Sequence, residues 1–403
     1  MHKSWALFKT KINRTDGHVI QSLLDTDFYK LTMLQVFWQK FPNATSQYLF
    51  KCRNDIDLSK FALEIHNEIE HLCSLRFTKE ELNWLRTIRF FQPGFIDYLE
   101  VFKLKRRNIL VRVLNGKLDI RTTPSSSLIQ SSMFEIYILR IVHEIYSRNV
   151  NLNIDLTLGR EKLQHKIKLI KDYSMLFEKP LIADFGGRRC FTGAWHEEVV
   201  KTLADSNVIT GTSNVMLAMN YKLKPIGTFA HEFVQTFQGI GVCPIADSQK
   251  VAFQTWADVY RGDLGIALSD TLGNDKFLED FDLYFAKLFD GLRHDSGDPL
   301  LWGEKMIVHF KRMKIDPKTK VLVFSDGLDI PKVLELHKHF RGRIKVSFGV
   351  GTNLTNDVGV PALQNVMKQI YCNGRPTAKI SNNPAKTMCI DKSYLEYLKR
   401  VIL

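Results

Sequence analysis

The chain has 403 residues with 45% hydrophobic and 25% charged side chains, which is ordinary for a globular protein and enough for two or three domains, or for one barrel with an appended domain. No apolar run is long enough to cross a bilayer, the N-terminal "MHKSWALFKTKINRTDGH" lacks a small-residue cleavage site, and the six cysteines form no CxxC pair. The composition therefore predicts no membrane span, no secretory leader, no disulfide scaffold and no zinc site, and it suits reduced thiols in a cytoplasm. The charge is +13, from 56 Lys+Arg against 43 Asp+Glu, which fits either a nucleic-acid surface or a basic site for an anionic small molecule. Short clusters such as "KLKRRN" and "KRMKIDPKTK" carry no interleaved aromatics, so nucleic-acid binding is the weaker of the two.

Residues 1–130 mix helical segments ("FALEIHNEIEHLCSL", "ELNWLRTIRFF") with extended ones ("LFKCRND", "NGKLDIRTTP"), and predict a separate α+β domain. Within it, "LLDTDFYKLTM" (23–33) reads by itself as a helix start, with Tyr29 and Lys30 just inside. Residues 131–361 take on a rhythm from about residue 180. A short apolar run is followed by a polar motif and then a helical pattern: "LIADF" before "GGRR", "VIT" before "GTSN", "PIGTFA" before "HE". Then come "LGIAL" before "SDT", "GLR" before "HDSGD", "VLVF" before "SDGLD", and "IKVSF" before "GVGTNLT". Near-continuous apolar strands alternating with helices imply a parallel sheet. Seven such units without a dinucleotide fingerprint predict a closed or nearly closed β/α barrel, whose strand-end motifs converge on one face. Asp298 before Pro299, and Asp329 two residues before Pro331, mark two helix starts. The tail, 362–403, predicts strands and turns that return to the N-terminal domain.

The strand-end motifs hold chemistry. "FGVGTNLT" places Gly349, Gly351 and Thr352 where backbone N–H groups and a hydroxyl can cradle a phosphate. "RHDSGD" and "SDGLD" place Asp295 and Asp326 where a sugar diol or Mg²⁺ beside a pyrophosphate would be held, while Asp298 and Asp329 are explained as helix caps. "DFGGRR" offers the Phe185 ring for a flat heterocycle and two guanidinium groups for a carboxylate or phosphate, unless one of them simply pairs with Asp184. His231 ends the apolar run "PIGTFA" beside Glu232. A lone histidine there is ordinarily structural, but in a barrel it shares one bowl with the other motifs.

These segments together resemble the nicotinate phosphoribosyltransferase family. "SLLDTDFYKLTM", "FKCRND", "DFGGRRCF", "GTSN", "GTFAHEF", "GLRHDSGDP", "VFSDGLD", "SFGVGTNLT" and "AKISNNPAKT" occur in the family's order and spacing, from about residue 20 to 395. The resemblance implies an irregular parallel β/α barrel with an additional α/β (α+β) domain built from the N-terminal region and the C-terminal tail. It also implies a cytoplasmic homodimer with shared active sites. The implied reaction makes nicotinate mononucleotide and pyrophosphate from nicotinate and phosphoribosyl pyrophosphate, with ATP as co-substrate and Mg²⁺ as cofactor, in NAD biosynthesis. His231 would be phosphorylated by ATP, with Asp270 orienting it and Glu232 beside it. Phe185 and the partner subunit's Tyr29 would sandwich the pyridine ring, with Arg188 near its carboxylate. Asp295 and Asp326 would hold the ribose hydroxyls and Mg²⁺, and the turn at Gly349, Gly351 and Thr352 the 5′-phosphate. Arg53, Arg293, Lys379 and Lys386 would contact the phosphoribosyl pyrophosphate, some from the other domain or subunit. A nicotinamide-specific enzyme is the nearest rival. The related nicotinamide enzymes carry an aspartate where "GTSN" has Ser213, and an aspartate there would repel nicotinate.

Overall fold

The computed structural model describes residues 17–151, 154–380, 387 and 389–402. Among these residues twelve strands form two sheets. In chain order the strands are β1 (Ser46–Cys52), β2 (Ile109–Leu114), β3 (Lys117–Thr122), β4 (Leu181–Asp184), β5 (Gly211–Thr212) and β6 (Lys224–Pro225). They continue with β7 (Ile266–Leu268), β8 (Gly291–His294), β9 (Val321–Phe324), β10 (Lys345–Val350), β11 (Asn365–Cys372) and β12 (Arg375–Pro376).

The parallel sheet has the order β6-β5-β4-β10-β9-β8-β7, so the last strand of the series pairs with the first, as in a barrel. The ring is open between β6 and β7, which are consecutive in the chain but lie at opposite edges. A curled half-barrel results, and the Thr228 hydroxyl donates to the Ile266 carbonyl (2.9 Å) across the seam. The opening has a local cause. The run "PIGTFA", read as a strand, pairs only over Lys224–Pro225. Pro225 has no N–H to offer a ladder, and the backbone of Gly227 passes so close to Tyr29 that a Cβ would lie 2.9 Å from the Tyr29 nitrogen. The next strand also shifts: β5 occupies Gly211–Thr212, after the apolar "VIT" instead of within it, and begins beyond the left-handed turn at Asn207.

The antiparallel sheet, β12-β11-β1-β3-β2, draws β11 and β12 from beyond residue 362, and β11 pairs with β1 along its length. The helix Leu128–Val150 packs on β1, β11 and the turn Gly187–Arg189, and is buried nearly all round because it is enclosed by both layers. Residue 130, the expected domain boundary, falls inside this helix. Asp298 and Asp329 cap their helices by accepting from Leu301 N (2.9 Å) and Lys332 N (2.8 Å). No helix among the described residues is long and apolar enough to cross a membrane.

Candidate active site

The C-terminal ends of β4, β8, β9 and β10 face β11 and the helix Leu128–Val150 across a cavity of about 770 Å³. Its barrel wall carries Phe185, Arg188, His231, Arg293, Asp295 and Asp326, with Gly351 and Thr352 at the end of β10. Tyr29, Arg53 and Lys379 of the same chain also line the cavity. Lys386 lies outside the described residues.

His231 is the first residue of the helix His231–Gly239, one step beyond the extended segment. Its Nε2 lies 2.7 Å from Asp270 Oδ1, 2.8 Å from Lys379 Nζ and 3.3 Å from Asp295 Oδ2. One nitrogen cannot donate to Asp270 and accept from Lys379 at once, so the tautomer selects between them. Lys379 also reaches Asp270 Oδ2 at 2.9 Å, and the Ser296 hydroxyl donates to the same oxygen at 2.7 Å. Burial, reinforced by the Lys379 charge, pulls the imidazole down to about 4 against the attraction of Asp270, so it is neutral at pH 7. Burial pushes the Asp270 carboxyl up, but His231, Lys379 and Ser296 outweigh it and hold it well below the carboxylate range. The donor atoms of His231, Asp270 and Asp295 all lie within 4.8 Å of one another. Asp295, expected to act with Asp326, stands beside His231 and Asp270, and Asp326 lines the same cavity.

The turn after β4 is organised by Asp184. It is fully buried and accepts from Thr212 Oγ1 (2.6 Å) and Gly186 N (2.8 Å), and pairs with His196 Nε2 (2.8 Å). Burial disfavours the charged imidazole, yet Asp184 raises His196 to about 10. Asp184 is thus satisfied by a histidine and not by an arginine, which leaves both guanidinium groups to the cavity. Arg189 donates to the Asn365 carbonyl (3.1 Å), whereas Arg188 makes no hydrogen bond among the described residues. Burial works against the Arg188 charge, and Tyr29, Asp27, Glu135 and Asp295 more than offset it, so its pKa stands above the usual arginine value. Burial, with Arg188 and Arg53 nearby, depresses Arg189 to about 10. The basic residues thus meet in one cavity.

Three of the expected site residues contact other parts of the protein. Ser213 is buried off the cavity wall and donates to Asp27 Oδ1 at 2.7 Å, and Asp27 in turn feels the Arg188 charge. Glu232 turns away from His231, because consecutive helical residues point about 100° apart, and its carboxylate binds Lys30 and Tyr48. Gly349 is a seat for Phe185 and does not itself line the cavity: a Cβ there would lie 2.2 Å from the ring. Gly349→Ala should therefore displace Phe185 and raise the KM of a ring-stacking substrate about tenfold, with little effect on a phosphate ligand, as steady-state kinetics with each substrate varied would show. Arg189, one of the two guanidinium groups offered by "DFGGRR", also lines the cavity, as do Glu135 and Lys368, which sequence reasoning missed. The signal for Lys368 was legible as a single charge within the apolar strand "NVMKQIYC".

The comparisons agree with this arrangement over nearly the whole chain. Residues 24–143 match the model of the nicotinate phosphoribosyltransferase (NAPRTase) N-terminal domain, and residues 181–402 that of the nicotinate phosphoribosyltransferase (NAPRTase) family. A nicotinate phosphoribosyltransferase of Xylella fastidiosa is 50% identical over 392 residues, covering 95% of this chain and 98% of that protein. One of Burkholderia cenocepacia is 50% identical over 389 residues, covering 95% and 96%. The crystal structure of nicotinate phosphoribosyltransferase from Vibrio cholerae has a TM-score of 0.91 and 36% identity, over 96% of this chain and 94% of that one. The corresponding structure from Porphyromonas gingivalis has a TM-score of 0.89 and 33% identity, over 96% and 100%. The order of the motifs, the half-barrel and these likenesses agree, and the chain belongs to the nicotinate phosphoribosyltransferase family.

Proposed function

We propose that this chain joins nicotinate to the ribosyl carbon of phosphoribosyl pyrophosphate, and that ATP drives the reaction through a phosphohistidine at His231. The observation that carries the reading is a neutral, oriented His231 in the same cavity as Arg188, whose guanidinium makes no hydrogen bond among the described residues. The ring of nicotinate lies between Phe185 and Tyr29, and its carboxylate pairs with Arg188. Its nitrogen attacks C1 of the ribose as the bond from C1 to the pyrophosphate oxygen breaks, and pyrophosphate leaves with that electron pair. The transition state has cationic character at C1, so the protein needs no strong nucleophile at this step, only placement and charge. Asp295 and Asp326 hold the ribose hydroxyls, Gly351 and Thr352 the 5′-phosphate, and Arg53, Arg293 and Lys379 the pyrophosphate, with Lys386 assigned the same role.

In the ATP step the unprotonated imidazole nitrogen attacks the γ-phosphorus, ADP departs, and Asp270 and Lys379 steady the ring. Hydrolysis of the phosphohistidine later restores it. Carboxylate oxygens of Asp270 and Asp295 suit a hard cation, and Mg²⁺ bound there would neutralise pyrophosphate charge. The chain works as a cytoplasmic homodimer, and its six free cysteines suit a reducing compartment. Pyrophosphate release with nicotinate, compared with nicotinamide, tests the reading. Nicotinate should support turnover at least about tenfold better, because only it has a charge for Arg188. Equal rates would return the assignment to the nicotinamide rival.

A further inference from the structure

The helix that begins with His231 is held at both ends by buried polar side chains. No side chain caps its start at Ala230, so the setting of its first turn depends on Glu232. Glu232 accepts from Lys30 Nζ, Tyr48 OH and Ser132 Oγ, three donors on the helix Phe28–Lys40, on β1 and on the helix Leu128–Val150. Lys30 is fully buried, and its second partner is Glu135 at 2.6 Å. Glu135 itself lines the cavity and faces Lys368 at 3.4 Å. At the other end Gln238 makes a reciprocal pair with the backbone of Ala378, 2.8 Å in each direction, next to Lys379. One short helix therefore sets both His231 and the lysine that touches it.

We infer that Glu232 is a positioning residue for His231: its three-donor anchorage fixes the rotation of the first helical turn so that the imidazole meets Asp270. The inference rests on the phosphohistidine reading for its consequence in turnover, but the anchorage itself is geometric. An apolar side chain at 232 would leave the turn free to rotate and would take from buried Lys30 one of its two carboxylate partners. A shift of about 1 Å at a reacting group can cost a hundredfold in rate, so a loosened turn acts on kcat before it acts on substrate affinity.

The test uses the full-length protein with Glu232→Gln, which keeps the shape and removes the charge, and with Tyr48→Phe, which removes one donor. The ring ¹⁵N resonances of His231 in ¹⁵N-histidine-labelled protein report its hydrogen bond without any activity, and steady-state kinetics report kcat and KM. In folded Glu232→Gln we expect shifted His231 ring resonances and a kcat lower by about 10- to 100-fold, with both substrate KM values within about threefold of wild type. Tyr48→Phe should move both readouts in the same direction, less far, and it carries the test if Glu232→Gln does not fold. Wild-type ring resonances in either folded variant would overturn the inference. A wild-type protein that neither releases pyrophosphate nor acquires phosphate would instead remove the functional reading, and the resonances would still decide the role of Glu232.

Discussion

Replacement of His231 by alanine should abolish the acid-labile, base-stable phosphate that the wild-type chain acquires from labelled ATP, and lower ATP-stimulated turnover by about 10²–10³-fold, or about 3–4 kcal/mol of barrier. The fold should survive, because Lys379 and Asp270 keep their mutual contact at 2.9 Å and Ser296 still donates to Asp270. The pH dependence has a definite sign. Burial and Lys379 hold the imidazole near 4, so the nucleophilic neutral form persists well below the ordinary histidine range, and phosphate acceptance should stay level down to about pH 5. The same depression makes the unfolded chain bind the extra proton between about pH 4 and 6.5, so this group's contribution to stability is complete above 6.5 and falls as pH drops through that window. His231→Ala should flatten that part of the stability curve, measured by denaturant unfolding at several pH values. Undiminished labelling of the variant would move the phosphate to another residue.

The second large effect is expected at Arg188. A guanidinium in the cavity with no hydrogen bond among the described residues is ready for an anionic partner, and a charge-assisted bond to a carboxylate contributes about 1.5–3 kcal/mol. Arg188→Gln should lower kcat/KM for nicotinate by about 10- to 100-fold while leaving nicotinamide nearly unaffected, so that discrimination between the two collapses. The substitution also removes the cation that counters Asp27, whose carboxyl burial already pushes up, so Asp27 should protonate more readily. Thermal unfolding of the variant separates this cost from lost recognition. Full nicotinate activity in a folded Arg188→Gln protein would show that the carboxylate is held elsewhere.

Helix caps and strand ends were legible because they depend on neighbours in the chain. Asp298 and Asp329 cap as their spacing to proline predicts, and five of the seven apolar runs form strands of one parallel sheet, whose other two strands fall just after "VIT" and at the start of "PIGTFA". Asp295, Asp326 and Phe185 share a cavity because residues that follow parallel strands must emerge on one face. The roles of Glu232, Ser213 and Gly349 were not legible, since each depends on what a distant segment places against it. Glu232 met Lys30 and Tyr48, Ser213 met Asp27, and Gly349 met the Phe185 ring.

The sequence by itself determined the family, the strand–motif–helix order and the residue types brought to the site, because periodicity and motif spacing are local properties. Only the tertiary structure decided where the barrel opens and which acids face His231. Those outcomes depend on long-range packing: Pro225 and the close passage of Gly227 by Tyr29 end β6 early, and burial of Lys30 draws Glu232 inward, leaving Asp270 and Lys379 to hold the imidazole.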